Sequence, residues 1–140
     1  MQDEIHLALR NDIEELPHLL DETVAFLGKH DLPPRDSLTL RLVLEEIVTN
    51  IITHAYEDRE PHEITVSMKC VDEGMAVVVE DDGREFNPLT APEPDLSVPL
   101  EDRPPGGLGI HLIREFADRI EYRRIADRNR LEFSIGGESA

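Results

Sequence analysis

An α+β fold, a two-layer sandwich of a mainly antiparallel sheet with helices on one face, is what this 140-residue sequence predicts. Three observations lead there. The later β-rich runs come in adjacent pairs joined by short polar turns, the pattern of antiparallel hairpins. Helical periodicity is confined to two segments ahead of the first pair and one between the pairs. The length suits one ordinary domain, residues 1–140, able to bury roughly two-thirds of its unfolded surface without disulfides or structural metal.

Taken in order, Ile5, Leu7 and Leu9 alternate with polar neighbours and predict a short half-buried strand. Asn11 or Asp12 then offers an N-cap to a helix running to about Gly28, with Ile13, Leu16, Leu19 or Leu20, Thr23 or Val24, and Leu27 at helical spacing and Pro17 near the first turn. After Leu32-Pro33-Pro34, Asp36 or Ser37 is the expected cap of a second helix. Its apolar positions Leu40, Val43, Leu44, Ile47, Val48, Ile51, Ile52 and Ala55 form a wide stripe.

Glu63 to Val71 and Met75 to Glu80 predict a hairpin around Asp72-Glu73-Gly74, and Val77-Val78-Val79 suggests a strand covered on both faces. Between Asp81 and Pro105 the pattern breaks into glycine, proline and acids. So long a loop in a compact domain suggests an active-site lid, expected at about 84–105. Gly106 to Gly109 open a third helix from Ile110 to about Asp118. Ile120 to Ile125 and Leu131 to Ile135 form a second hairpin around Asp127-Arg128-Asn129, and the tail from Gly136 is expected to fray.

The bulk numbers exclude several function classes. With 31 acids against 14 bases the net charge of −17 repels a phosphate backbone and argues against a nucleic-acid partner. No apolar run approaches the ~20 residues of a membrane span, and the acidic N-terminus lacks a secretory pattern, so a cytoplasmic protein is expected. Cys70 is the single cysteine and reads as a small core residue in a strand. The six histidines, His6, His18, His30, His54, His62 and His111, have no paired ligand spacing, which argues against structural metal.

Three segments can carry chemistry. Glu46 and Asn50, four apart on the second helix, project from one face. They are either an ordinary polar pair satisfied by solvent or neighbours, or a proton-accepting carboxylate beside an amide oxygen that holds Mg²⁺. At Val79-Glu80-Asp81-Asp82-Gly83 an apolar strand runs out into acids and a glycine. That pattern is common in turns, but a carboxylate there can also accept from the exocyclic amine of adenine while the glycine permits close approach. Gly106-Gly107-Leu108-Gly109 leads straight into a helix, an anion site suited to phosphates. The lysine and hydroxyl of a P-loop are absent and no strand precedes the glycines, so neither the Walker nor the Rossmann fingerprint applies.

In this order the segments resemble the N, G1 and G2 boxes of the Bergerat ATP-binding fold of gyrase-type ATPases, histidine kinases and anti-sigma-factor serine/threonine kinases. Glu45-Glu46-Ile47-Val48-Thr49-Asn50, followed by His54-Ala55-Tyr56, looks like the N box of the stand-alone anti-sigma kinases, and the resemblance covers essentially the whole chain. It implies Glu46 as general base, Asn50 as Mg²⁺ ligand, Asp81 as the adenine-reading acid and Gly83 as its glycine. It further implies Gly107 and Gly109 as lid glycines at the ATP phosphates, with Gly106 and Leu108 as backbone neighbours. Arg103 is a candidate cation for the terminal phosphates, with Arg84 and Arg114 as rivals. Implied partners are an anti-anti-sigma protein as substrate and a sigma factor to be sequestered, commonly by a homodimer.

The chain departs from the family pattern at two places. Glu85 stands where many relatives carry a second G1 glycine, and the hydroxyl that supports the adenine-reading acid has no clear equivalent among Asn129, Arg130 and Leu131. These departures motivate an alternative, a nucleotide-gated binding module without kinase activity. A detached histidine-kinase catalytic domain is a third reading, weakened because no phosphoacceptor helix pair fits in the chain.

Overall fold

The structure, a computed structural model, describes residues 3–30, 32–71, 74–90, 97–99 and 108–136, with Leu108 described by its backbone alone. Its strands are β1 (Glu4–Arg10), β2 (Glu63–Val71), β3 (Gly74–Asp81), β4 (Ala117–Ile125) and β5 (Arg128–Ile135). Its helices are α1 (Leu16–Leu27), α2 (Pro34–His54) and α3 (Leu108–Phe116). The strands form one sheet in the order β1-β2-β3-β5-β4, and every neighbouring pair is antiparallel. The α+β architecture expected from the sequence is the one observed.

Register explains where the core sits. Val66 lies opposite Val79, which lies opposite Leu131, and Met68, Val77 and Phe133 form the next row. These residues are at most 2% exposed, and they belong to one cluster with Leu40, Val43, Leu44, Ile47, Val48 and Ile51 of α2. The alternation of period two thus sends one face of the sheet into the helices, each fully buried aliphatic side chain contributing about 1.5–3 kcal/mol before entropy is charged. Val78 falls on the opposite face and is only half-buried, so β3 is covered on one face rather than both.

Local chemistry sets the element boundaries. The Asp12 carboxylate accepts from Glu14 N at 3.0 Å and starts a 3-10 turn, Ile13–Glu15, that feeds α1, whose first turn holds Pro17. Helix α2 begins at Pro34, and its N-cap, Pro33, lies three to four residues before the expected cap. The locked φ of proline suits the first helical position, and Asp36 is instead a first-turn acid, nearly buried. Helix α3 stops at Phe116 and β4 starts at once at Ala117, three residues earlier than the periodicity suggests, with an irregularity between Ala117 and Arg119. The β4–β5 turn is Ala126-Asp127, with φ of 51° and 61°, as a two-residue hairpin turn requires. Arg128 and Asn129 therefore belong to β5, not to the turn.

The Asp72-Glu73 turn, the tail from Gly137 onward, and lid positions 91–96 and 100–105 lie outside the described residues. So do Arg103, Gly106 and Gly107.

Candidate functional site

The end row of the sheet core is polar. Asp81, the last residue of β3, stands opposite Ile64 on β2 and Asn129 on β5, and Asn129 stands opposite Arg124 on β4. Asp81 is 1% exposed and Asn129 2%. Asp81 Oδ1 accepts from Gly83 N at 2.9 Å and from Asn129 Nδ2 at 2.8 Å. Burial pushes the Asp81 carboxyl above the usual carboxylate range, while the Asn129 amide and the Gly83 N–H oppose that push. Its second oxygen makes no hydrogen bond among the described residues, which leaves an acceptor for a ligand donor.

Asn129 is the buried partner of Asp81 that the sequence did not reveal. Its Nδ2 also donates to Arg84 O at 2.7 Å, and its Oδ1 accepts from Phe86 N at 3.2 Å, Tyr122 Oη at 2.6 Å and Arg124 at 3.1 Å. The signal was hidden by the turn: Ala126-Asp127 lacks the glycine that marks a tight hairpin, so the register placing Asn129 opposite Asp81 was not legible.

Beyond Asp81 the chain turns back on the end of α2. A Cβ at Gly83 would lie 2.5 Å from Ala55 O and 2.8 Å from Ala55 Cβ, so glycine is required here for close approach to the helix end. Arg84 N donates to Ala55 O at 2.8 Å and Arg84 Nε to His54 O at 2.9 Å, which satisfies carbonyls that the helix terminus leaves open. Phe86 packs on the His54 ring, centroids 5.6 Å apart, and on the Arg84 guanidinium.

Glu46 and Asn50 lie one turn apart on α2, Glu46 half-buried and Asn50 8% exposed. Asn50 Nδ2 donates to Pro88 O at 3.4 Å, which assigns its Oδ1 as the remaining acceptor. The same short segment, 84–88, thus touches Asn129 at one end and Asn50 at the other. Gly109 in α3 abuts Glu46: a Cβ there would lie 2.4 Å from Glu46 Cβ. Arg114 donates to Leu89 O and Arg84 is held at the helix end, so both rival cations bind backbone. Leu108 opens α3 with its backbone.

Beside this site is an open cavity of about 470 Å³ between the end of α2 and Asp82–Arg84. On its wall His62 is held by Asp58 at 2.8 Å and Asp82 at 3.2 Å, and its ring stacks on Tyr56 at 4.5 Å. The Asp58 hydrogen bond holds the imidazole above its usual range against the cost of desolvation, with Asp82 adding to it.

The residues present fit an adenine nucleotide with a divalent metal. A buried carboxylate with one oxygen saturated suits an exocyclic amine, and a single amide oxygen suits a Mg²⁺ that keeps most of its own water and phosphate ligands. Among the described residues no group of three or more His, Cys, Asp or Glu forms a metal cage. No described helix is long and apolar enough to cross a membrane.

Residues 9–135 match the family described as histidine kinase-like ATPase domain. Among characterised proteins, the chain is 31% identical over 86 residues to the serine/threonine-protein kinase BtrW of Bordetella bronchiseptica, covering 61% of each. It is 31% identical over 90 residues to the serine-protein kinase RsbW of Bacillus mycoides, covering 61% of this chain and 56% of that one. It is 25% identical over 122 residues to the anti-sigma F factor of Oceanobacillus iheyensis, covering 86% and 83%. The matched stretch thus spans under two-thirds of the length of the two kinases. With the match extending from the last two residues of β1 through β5, across the sheet end that holds Asp81 and the helix that holds Asn50, this chain belongs to the histidine kinase-like ATPase domain family.

Proposed function

We propose that the protein is a Mg-ATP-dependent serine/threonine protein kinase that acts as an anti-sigma regulatory factor. The observation that carries this reading is the buried Asp81 carboxylate, tied at Oδ1 and open at its second oxygen, with Asn50 joined to the same 84–88 segment. When bound, Mg-ATP would supply the γ-phosphoryl group to the protein hydroxyl, the bond to the β-phosphate breaking and ADP leaving, with a metal offsetting the charge that develops. Asp81 orients the base, and Gly83 lets the following turn close on α2. Asn50 holds the metal through its Oδ1. Glu46 takes the proton from the incoming serine or threonine hydroxyl. The backbone N–H groups of Leu108 and Gly109 at the start of α3 would face the phosphates, and the resemblance adds Gly106, Gly107 and Arg103 to that role.

The names of the relatives, a serine-protein kinase and an anti-sigma F factor, support serine phosphorylation and a sigma factor as sequestered partner; the N-box resemblance implies an anti-anti-sigma protein as the substrate. A homodimer in the cytoplasm completes the reading, without nucleic-acid or membrane partners. A nucleotide-gated protein-binding module without kinase activity is the competing reading, favoured by the contact of α3 with Glu46.

Calorimetric titration of Mg-ATP into the wild type and Asp81→Asn, followed by phosphate transfer to a small antagonist protein, tests the proposal. One saturable site per chain in the wild type, weakened about tenfold or more in Asp81→Asn, is expected from loss of a charged hydrogen-bond acceptor. Absence of wild-type binding would remove the nucleotide reading. Transfer by Glu46→Ala at the wild-type rate would remove Glu46 as the base, and binding without any transfer would leave the binding module.

A further inference from the structure

We propose that Asn129 is a positioning residue whose single carboxamide sets the base selectivity of Asp81 with its donor half and anchors the root of the lid with its acceptor half. The inference rests on the nucleotide reading for its first part only.

Five contacts fix the amide in one orientation. Nδ2 faces two acceptors, Asp81 Oδ1 at 2.8 Å and Arg84 O at 2.7 Å. Oδ1 faces three donors, Phe86 N at 3.2 Å, Tyr122 Oη at 2.6 Å and Arg124 at 3.1 Å. The opposite flip would set NH₂ against three donors and carbonyl oxygen against two acceptors, so the network admits one assignment. At 2% exposure the amide has little access to water as a substitute partner, and the loss of either half leaves buried groups unpaired.

Each half has its own consequence. The donor half, with Gly83 N, saturates Asp81 Oδ1, so the carboxylate cannot rotate without breaking two hydrogen bonds, and its other oxygen is held ready for an amine. A carboxylate in that state rewards adenine, which offers an exocyclic N–H₂, over hypoxanthine, which offers a carbonyl oxygen. The acceptor half grips the amide of Phe86, two residues past Arg84, whose carbonyl the donor half holds. Both ends of the Arg84–Phe86 turn are thereby tied to β5. A hydroxyl could supply one donor toward Asp81, but it could not span both halves; the carboxamide couples the base-reading acid to the Arg84–Phe86 turn that follows β3.

Two variants separate the halves. Asn129→Asp is nearly isosteric, keeps the Oδ1 acceptor and puts an oxygen in place of the donating Nδ2; Asn129→Ala removes both halves. The readouts are the ratio of ADP to IDP dissociation constants by calorimetry, and hydrogen exchange of the Gly83 and Phe86 amides in nucleotide-free protein. The ratio compares two ligands on the same sample, so a partly folded variant does not distort it.

Both variants are expected to lose about tenfold or more of the ADP preference, the scale of a buried charged hydrogen bond. Phe86 exchange is expected to accelerate about tenfold or more in Asn129→Ala and stay near wild type in Asn129→Asp, while amides at the centre of β3 stay protected in both. An unchanged ratio in both variants, with ADP bound by the wild type, would overturn the selectivity half and leave the proposed nucleotide site standing. Unchanged Phe86 exchange in Asn129→Ala would overturn the anchoring half whether or not nucleotide binds. If the wild type binds neither nucleotide, the selectivity half falls together with the proposed function.

Discussion

Gly109→Ala sets two effects of opposite sign against each other, and the structure decides between them. Gly109 is the second residue of α3 and does not occupy the left-handed region. Helix propensity alone therefore favours alanine by about 1 kcal/mol at most. Packing opposes it: the added Cβ would lie 2.4 Å from Glu46 Cβ, 3.0 Å from Glu46 Cγ and 2.9 Å from Leu42 O. Carbon atoms meet comfortably only from about 3.5 Å, so α3 would have to retreat by about 1 Å. Glu46 Cβ and the Leu42 carbonyl are fixed to the α2 backbone and cannot swing aside, while Ile110 and Ile113, both 0% exposed, resist the retreat of α3. Over-packing of this kind costs about 1–3 kcal/mol, more than the propensity gain. With two backbone-fixed contacts under 3 Å the cost falls in the upper part of that range, about 2–3 kcal/mol, so the expected net loss is about 1–2 kcal/mol, or a Tm lower by about 3–8 °C at this chain length. Thermal unfolding followed by circular dichroism at fixed concentration reads it directly. A Tm equal to or above that of the wild type would refute the packing argument and leave propensity as the controlling effect.

The His62 imidazole is held above its ordinary value, chiefly by Asp58, so its protonated form stabilises the fold fully below about pH 6.5 and the contribution fades as pH rises through the folded-state value. His62→Gln should accordingly lower the Tm more at about pH 6 than at about pH 8.5, and an equal drop at both would show that the Asp58–His62–Asp82 bridge does not act through charge. The Tyr56 hydroxyl is buried without a hydrogen-bond partner among the described residues, and burial, then Asp81 and Asp82, push its ionisation upward. Tyr56→Phe should be neutral or stabilising by up to about 1 kcal/mol in urea unfolding, since it removes an unsatisfied polar group and keeps the ring on His62; a clear destabilisation would mean the hydroxyl has a partner in solution.

Fold class, the order of elements and the residue types at the candidate site were legible along the chain. Those properties are local or periodic: the stripe of α2 shows in its apolar spacing, the strands in their alternation, and Asp81 in an apolar run that breaks into acids. What the tertiary structure alone decided is which of these residues meet. Asn129 reads as part of a turn until the two-residue hairpin at Ala126-Asp127 sets a register that brings it opposite Asp81, 48 positions away. Gly83 and Gly109 read as ligand-approach glycines, yet each also removes a Cβ that would collide with α2, at Ala55 and Glu46 respectively. Val78 reads as buried on both faces because its neighbours are valines, but the second face of the sheet carries no helix among the described elements. The reason is common to all three: periodicity records which face of an element is apolar, whereas strand register and helix separation depend on contacts between segments far apart in the chain, which no local pattern encodes.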